Sequence, residues 1–155
     1  FKEYVRDVIL SLKRHGVGKV IVVNGHGGNL NALLSLAREL RREGVLTVIF
    51  QWWTLPEMGK LFSREELGHA GAAETSLNLY LQEEAVDMKS AVDEEPVKLP
   101  TDGLAYFPEY THDRTRSGVY GVARTASKER GAKAFECAVD ALVNLVREVA
   151  KLSSE

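Results

Sequence analysis

Four histidines hold most of the chemistry open to this chain, and they fall into two kinds. His26 stands in Asn24-Gly25-His26-Gly27-Gly28-Asn29 and His69 in Gly68-His69-Ala70-Gly71, both among residues with almost no side-chain bulk. A core-packing histidine would have large apolar neighbours; small ones leave room for a ligand and let the backbone approach it. Glu74 follows His69 by five residues, with only Ala and Gly between, so both side chains can reach one pocket. Glu74 also suits a helix first turn, where the dipole favours a carboxylate. Imidazole nitrogen and carboxylate oxygen together suit Zn²⁺, Mn²⁺ or Fe²⁺. Two or three such groups do not complete a catalytic metal site, so further ligands must come from elsewhere. His15 belongs to the last turn of a first helix and reads as a surface residue. His112, in Tyr110-Thr111-His112-Asp113-Arg114, suits a polar loop or a site wall.

The glycine loop at His26 follows a strand and precedes a helix, as a dinucleotide loop would. It does not complete Gly-x-Gly-x-x-Gly, because position 30 is Leu, and the second strand ends at Gln51 without an acidic ribose ligand. A P-loop is absent as well. A phosphate cradle at the helix start after His26 stays open as a third reading. Thr75 and Ser76 lack the Gly-x-Ser-x-Gly elbow of a serine nucleophile. Cys137, inside the last helix, is expected to be buried and inert.

Tyr4, Val5, Val8, Ile9 and Leu12 recur at helical spacing up to Gly16, a natural C′ residue. Lys19 to Val23 is a β-branched run expected to be covered on both faces. Asn29 or Asn31 can cap a helix carrying Leu33, Leu34, Leu36, Ala37 and Leu40, stopped at Gly44. Val45 to Gln51 is a second strand, running into Trp52-Trp53. Short joints between helix and strand predict an α/β fold, a mostly parallel sheet with helices on both faces. A short helix or turn is expected over Leu55–Phe62, and Ser63 with Glu66 fits a capping box for another. An apolar helix follows through Leu77, Leu79, Tyr80 and Leu81. Residues 92–118 read as a long irregular excursion. Ser127 caps a final helix with Ala134, Ala138, Ala141, Leu142, Leu145 and Val149 on its apolar side.

The chain of 155 residues shows no repeat or internal boundary, so 1–155 reads as one domain. A net charge of −2 argues against a large basic nucleic-acid surface. No apolar run approaches the roughly 18 residues that span a bilayer. One cysteine excludes an internal disulfide, and with no signal peptide a cytoplasmic protein is expected. Abundant Lys, Arg and Glu with Gln only at Gln51 and Gln82 lean toward a thermophilic source.

Residues 22–29 (Val-Val-Asn-Gly-His-Gly-Gly-Asn) and 69–76 (His-Ala-Gly-x-x-Glu-Thr-Ser) resemble the creatininase (creatinine amidohydrolase) family. Ser-Gly-Val-Tyr-Gly at 117–121, with Ala126-Ser127 and Gly131, is similar to its C-terminal pattern. The resemblance implies a compact α/β sandwich with a site for two divalent ions (Zn, Mn or Fe) at the carboxyl ends of the strands. It implies hydrolysis of a non-peptide C–N bond in a small-molecule amide or formamide, and a closed homo-oligomer. His26 matches a metal-binding histidine, Glu74 a carboxylate acting as metal ligand or base, and His69 a histidine facing the substrate. Asn24 and Asn29 would hold the loop. Asn24, Gly27, Gly28 and Trp53 are the candidate substrate-binding residues; Trp52 and Trp53 suit a pocket wall or an interface. Gly27 and Gly28 replace the bulk and the Glu of creatininase itself, which favours the broader branch over creatinine as substrate. The family also supplies a Glu-x-His pair and a bridging Asp from an N-terminal segment. The chain begins after that segment, so its N-terminal part is expected to be missing.

Two hypotheses follow. One is a metal-dependent amidohydrolase, with a formylamino-pyrimidine ribosyl phosphate of flavin or deazaflavin synthesis as a candidate substrate. Its two ions would lower the pKa of a shared water, and the hydroxide would attack the amide carbon. His69 would protonate the leaving nitrogen or support the oxyanion. The alternative is a catalytically incomplete homologue, a metal-free binding or assembly module. Poor solubility is expected for the 155 residues alone, through exposed apolar surface.

Overall fold

A computed structural model describes residues 1–98 and 108–152; part of the irregular 92–118 stretch, residues 99–107, therefore lies outside the described residues. The chain forms two compact units, Phe1–Trp52 with Asp140–Glu155, and Trp53–Val139.

In the first unit, helix α1 (Lys2–Arg14) leads to strand β1 (Lys19–Val23), and helix α2 (Leu30–Arg42) to strand β2 (Leu46–Phe50). The strands pair in parallel, Lys19 opposite Leu46 through Val23 opposite Phe50. Both helices stop in the same way. Gly16 (φ +86°) and Gly44 (φ +78°) take the left-handed conformation that side chains resist. Val17 N–H then reaches Leu12 O, and Val45 N–H reaches Leu40 O, satisfying carbonyls the helix leaves open. These terminators turn each helix straight into a strand.

The core of this unit gathers Ile9, Leu36, Leu40 and Val45, with Val5, Leu10, Val20 and Val22 packed around it. The ion pairs Lys2–Glu39 (2.5 Å) and Arg6–Glu43 (2.7 Å) run along the α1–α2 seam. The structure adds one fact about α1 and corrects one expectation about β1. Of α1's apolar stripe only Ile9 is buried, while Tyr4 stays 74% exposed, and Val8 and Leu12 are also open to solvent. Nor is β1 covered on both faces: its residues are half-buried and Val23 is 58% exposed. Among the described residues the sheet has two strands, so β1 has one strand neighbour.

The second unit contains α3 (Met58–Leu61), α4 (Ala72–Leu81), α5 (Thr111–Arg114) and the start of α6 (Lys128–Lys151). The Ser63–Glu66 box forms as expected, Ser63 N–H to Glu66 Oε2 at 2.8 Å and Glu66 N–H to Ser63 Oγ at 3.3 Å. It closes a turn rather than starting a helix, and Glu66 is also engaged from outside. Both its oxygens accept from Arg130 at 2.7 Å, and Thr125 Oγ1 donates to it at 2.5 Å. Arg130 also donates to Leu61 O and lies 4.3 Å over the Phe62 ring. This partnership holds the Glu66 carboxyl at about 2, below the usual carboxylate range.

Ser127 caps α6 through Arg130 N–H, and its own N–H donates to the fully buried Ser76 Oγ. The expected apolar side of α6 is confirmed at its ends by buried Ala134 and Val149. Ala72, Ala73 and Ser76 are buried, so the small residues of this stretch serve close packing as well as access. No helix among the described residues is long and apolar enough to cross a membrane.

Candidate functional site

Asn24 is the hub of the histidine loop. It leaves the end of β1 with its N–H on Phe50 O, prolonging the sheet pattern by one residue. Its side chain is 3% exposed and fully engaged. Nδ2 donates to His26 O (2.8 Å) and Gln51 Oε1 (2.9 Å), while Oδ1 accepts from His26 N–H (3.3 Å) and Asn29 Nδ2 (3.2 Å). An unpaired buried amide would be costly, so this network fixes the loop's shape. Asn29 therefore does not cap α2 with its side chain, as its spacing suggests; it clasps Asn24 instead.

His26 is solvent-exposed. Its imidazole folds back over Gly28, where a Cβ would lie 2.9 Å from Nε2. Gly28 is thus a space requirement of the ring. At Gly27 a Cβ would meet nothing within 4 Å, so that position opens to solvent.

His69 is exposed on a loop whose backbone is held from three sides. Tyr120 N–H donates to His69 O at 2.8 Å, Ala72 N–H to Val122 O at 2.7 Å, and Val122 N–H to Glu65 O at 3.1 Å. Gly68 and Gly121 allow this approach. A Cβ at Gly68 would lie 1.7 Å from Tyr120 O, and one at Gly121 would lie 2.1 Å from Glu65 O. Ala70 then takes φ +53°, a conformation with a cost for any residue bearing a Cβ. Glu74, in the first turn of α4, accepts the Ala70 N–H through Oε2 at 2.6 Å. Oε1 has no hydrogen-bond partner among the described residues and is available to a ligand.

The Tyr120 ring meets the His69 imidazole edge-on, centroids 5.7 Å apart and planes at 71°. Burial pushes the Tyr120 hydroxyl above its ordinary range. Tyr120 and Gly68 also line a cleft of about 850 Å³ whose wall includes Arg64, Lys98, Arg114 and Glu94. Glu94 is lowered by Ser117 Oγ first, then by the Arg116 and Ser117 amides, so its charge is already satisfied.

The remaining candidates sit as follows. Trp53 is half-buried in the turn Trp52–Thr54 that follows β2. His112 is exposed, stacked on Tyr110 at 5.4 Å. Ser76 is buried at a helix contact and cannot act as a nucleophile there. Cys137 is half-buried rather than fully enclosed. Tyr120 is the residue that site reasoning from sequence passed over, although the 117–121 motif contains it.

His26 offers an imidazole nitrogen and Glu74 a carboxylate oxygen as donor atoms. Among the described residues no group of three or more His, Cys, Asp or Glu is arranged to hold a metal ion. Three protein ligands is the usual minimum for a catalytic zinc.

A parallel α/β chain with an exposed histidine on a glycine loop beyond a strand end, where such sheets bind ligands, defines the class. Within it, the chain belongs to the creatininase family: residues 1–146 match the family described as creatinine amidohydrolase. A creatinine amidohydrolase of Pseudomonas putida is 31% identical over 159 residues, covering 93% of this chain and 60% of the relative. The crystal structure of a creatininase superposes with a TM-score of 0.75 at 29% identity, covering 98% of this chain and 64% of that one. A manganese form of creatininase gives 0.73 at 30% identity, covering 95% and 62%. A Bacteroides fragilis structure gives 0.80 at 23% identity, covering 98% and 62%, a likeness of fold. The chain thus spans about 60% of the length of the relatives it matches.

Proposed function

We propose that the parent protein is a metal-dependent amidohydrolase that cleaves a non-peptide C–N bond of a small molecule. The observation that carries this reading is the 68–74 segment. It presents an exposed imidazole on a strained backbone, locked in place by a carboxylate that keeps one oxygen unbonded. Backbone strain held by surrounding structure is a recurrent property of sites that must be preorganised. The family's solved structures include manganese and zinc–zinc forms, which supports divalent ions as the cofactor.

His26 and Glu74 are proposed as this chain's donors toward such ions, which would supply Lewis-acid polarisation of the amide carbonyl and an activated water. His69 is the group that moves a proton: it delivers one to the departing nitrogen, or donates to the oxyanion as the carbonyl becomes tetrahedral. Asn24 keeps the His26 loop rigid, and Glu74 keeps the His69 loop rigid. Gly27, Gly28 and Trp53 are proposed to border the substrate.

Within this reading a formylamino-pyrimidine ribosyl phosphate is favoured over creatinine, since position 28 holds no carboxylate and His26 fills the space one would need. The protein is proposed to work as a homo-oligomer in the cytoplasm. The alternative, a metal-free binding module, draws on the short donor set.

The test uses the intact protein, stripped of metal and reloaded with Zn²⁺, Mn²⁺ or Fe²⁺, against a panel of formamides, lactams and creatinine. Metal-dependent hydrolysis that His26→Ala and His69→Ala each reduce about 100-fold or more supports the enzyme. Absence of bound metal, with no turnover of any compound, supports the binding module.

A further inference from the structure

We propose that Tyr120 is a positioning residue for His69, its aromatic ring setting the direction in which the imidazole faces. The inference rests on the hydrolase reading above, but the observations behind it are geometric. Exposed histidine side chains ordinarily rotate freely about χ1 and χ2, and a proton donor must point at one atom. His69 has no large neighbour in sequence to restrain it. Its restraint comes across the fold.

Three features fix Tyr120 relative to His69. The 120–122 segment is stapled along 65–72 by the bonds from Tyr120 N–H to His69 O, Val122 N–H to Glu65 O and Ala72 N–H to Val122 O. Gly68 and Gly121 remove the side chains that would hold the two segments apart, since a Cβ at either position would overlap a backbone oxygen of the other segment. Gly121 is further pinned by its paired bonds with Glu94, 2.7 and 2.8 Å. With both backbones held, the Tyr120 ring stands edge-on to the imidazole, centroids 5.7 Å apart. An edge-to-face contact has directional preference, unlike a purely aliphatic wall. The tyrosine is itself half-buried against this segment. The ring, not the hydroxyl, performs this task.

The experiment compares Tyr120→Phe, which keeps the ring, with Tyr120→Leu, which removes it, in the full protein. Two readouts are taken: steady-state hydrolysis, and the NMR shifts of the His69 ring protons, assigned against His69→Gln. Tyr120→Leu is expected to lower kcat about tenfold or more with KM within about twofold, while Tyr120→Phe keeps kcat within about threefold. The His69 ring resonances should move in Tyr120→Leu and stay in Tyr120→Phe. Should Tyr120→Leu fail to fold, Tyr120→Met, closer in volume, carries the same comparison.

Unmoved His69 resonances in the ring-less variant overturn the proposal. So does a loss of kcat in Tyr120→Phe equal to that in Tyr120→Leu. If the parent protein hydrolyses no amide at all, the functional reading fails, and the ring-proton shifts still decide the role of Tyr120.

Discussion

The Glu74 carboxylate holds the Ala70 amide at 2.6 Å, and among the described residues Ala70 is the one non-glycine with positive φ. A charged acceptor is thus spent on keeping a strained residue in place, directly beside His69. Hydrogen bonds to charged groups contribute about 1.5–3 kcal/mol, enough to offset the roughly 1–3 kcal/mol of a sparsely populated backbone conformation.

That balance gives a first prediction. Glu74→Ala should lower stability by about 1–2 kcal/mol in urea unfolding. Ala70→Gly in the same background should recover part of it, because glycine adopts positive φ without the Cβ penalty. Full stability of Glu74→Ala on its own would show that the clamp contributes nothing.

Glu66 sets an acid limit on stability. Its folded carboxyl lies at about 2, against 4.5 for an ordinary glutamate, chiefly through Arg130. A depressed folded value means the stabilisation is fully present above about 4.5 and fades as pH falls from there toward 2. Its size is on the order of 2–3 kcal/mol. Urea titrations between pH 2 and 7 should therefore steepen with acid in the parent, and Glu66→Gln should flatten that part of the curve. An identical pH dependence in the two proteins would exclude Glu66 as the source.

Arg130→Met removes one side of the same pair. It leaves the Glu66 carboxylate, 13% exposed at its side chain, without its counter-charge and also removes the contact over Phe62. A loss of about 3 kcal/mol is expected, larger than that of Glu66→Gln. Equal losses in the two variants would contradict this asymmetry.

Gly28→Ala probes the His26 ring. The added Cβ would sit 2.9 Å from Nε2, and the imidazole has to turn aside, while the fold has no other obstacle at this position. Thermal stability should change by less than about 1 kcal/mol, whereas activity of the metal-loaded protein should fall by about tenfold or more. Retained activity would show that the ring direction seen at Gly28 is not the working one.

Gly131 tests packing. A Cβ there would lie 1.9 Å from Ser76 O, a backbone atom that cannot step aside. Gly131→Ala should cost about 2–3 kcal/mol or abolish soluble expression, even though alanine is the better helix former. A neutral outcome would mean α4 and α6 can separate without penalty.

Local chemistry is legible in the order of the residues. The two glycine stops at Gly16 and Gly44, the Ser127 cap and the strand–loop–helix order around His26 each depend on residues within a few positions of one another. Such features follow from backbone freedom and capping, which neighbours in sequence decide. The candidate histidines are legible for the same reason: bulk is absent on both sides of them.

The partnerships across distance come from the fold alone. Spacing offered Asn29 as a cap, but Asn24 lies near enough to take its amide; spacing offered Ser63–Glu66 as a helix start, but Arg130 and Thr125 reach Glu66 from 59 or more positions away. The apolar stripe of α1 is visible in its spacing, but which of its residues are buried depends on what packs against it, and only Ile9 is covered. Tyr120 is ordinary in sequence and acquires meaning only because two glycines, 53 positions apart, bring its backbone against His69. Sequence determined which groups could act and where the chain must turn. The fold determined which way those groups face, because orientation is set by neighbours that the chain order does not name.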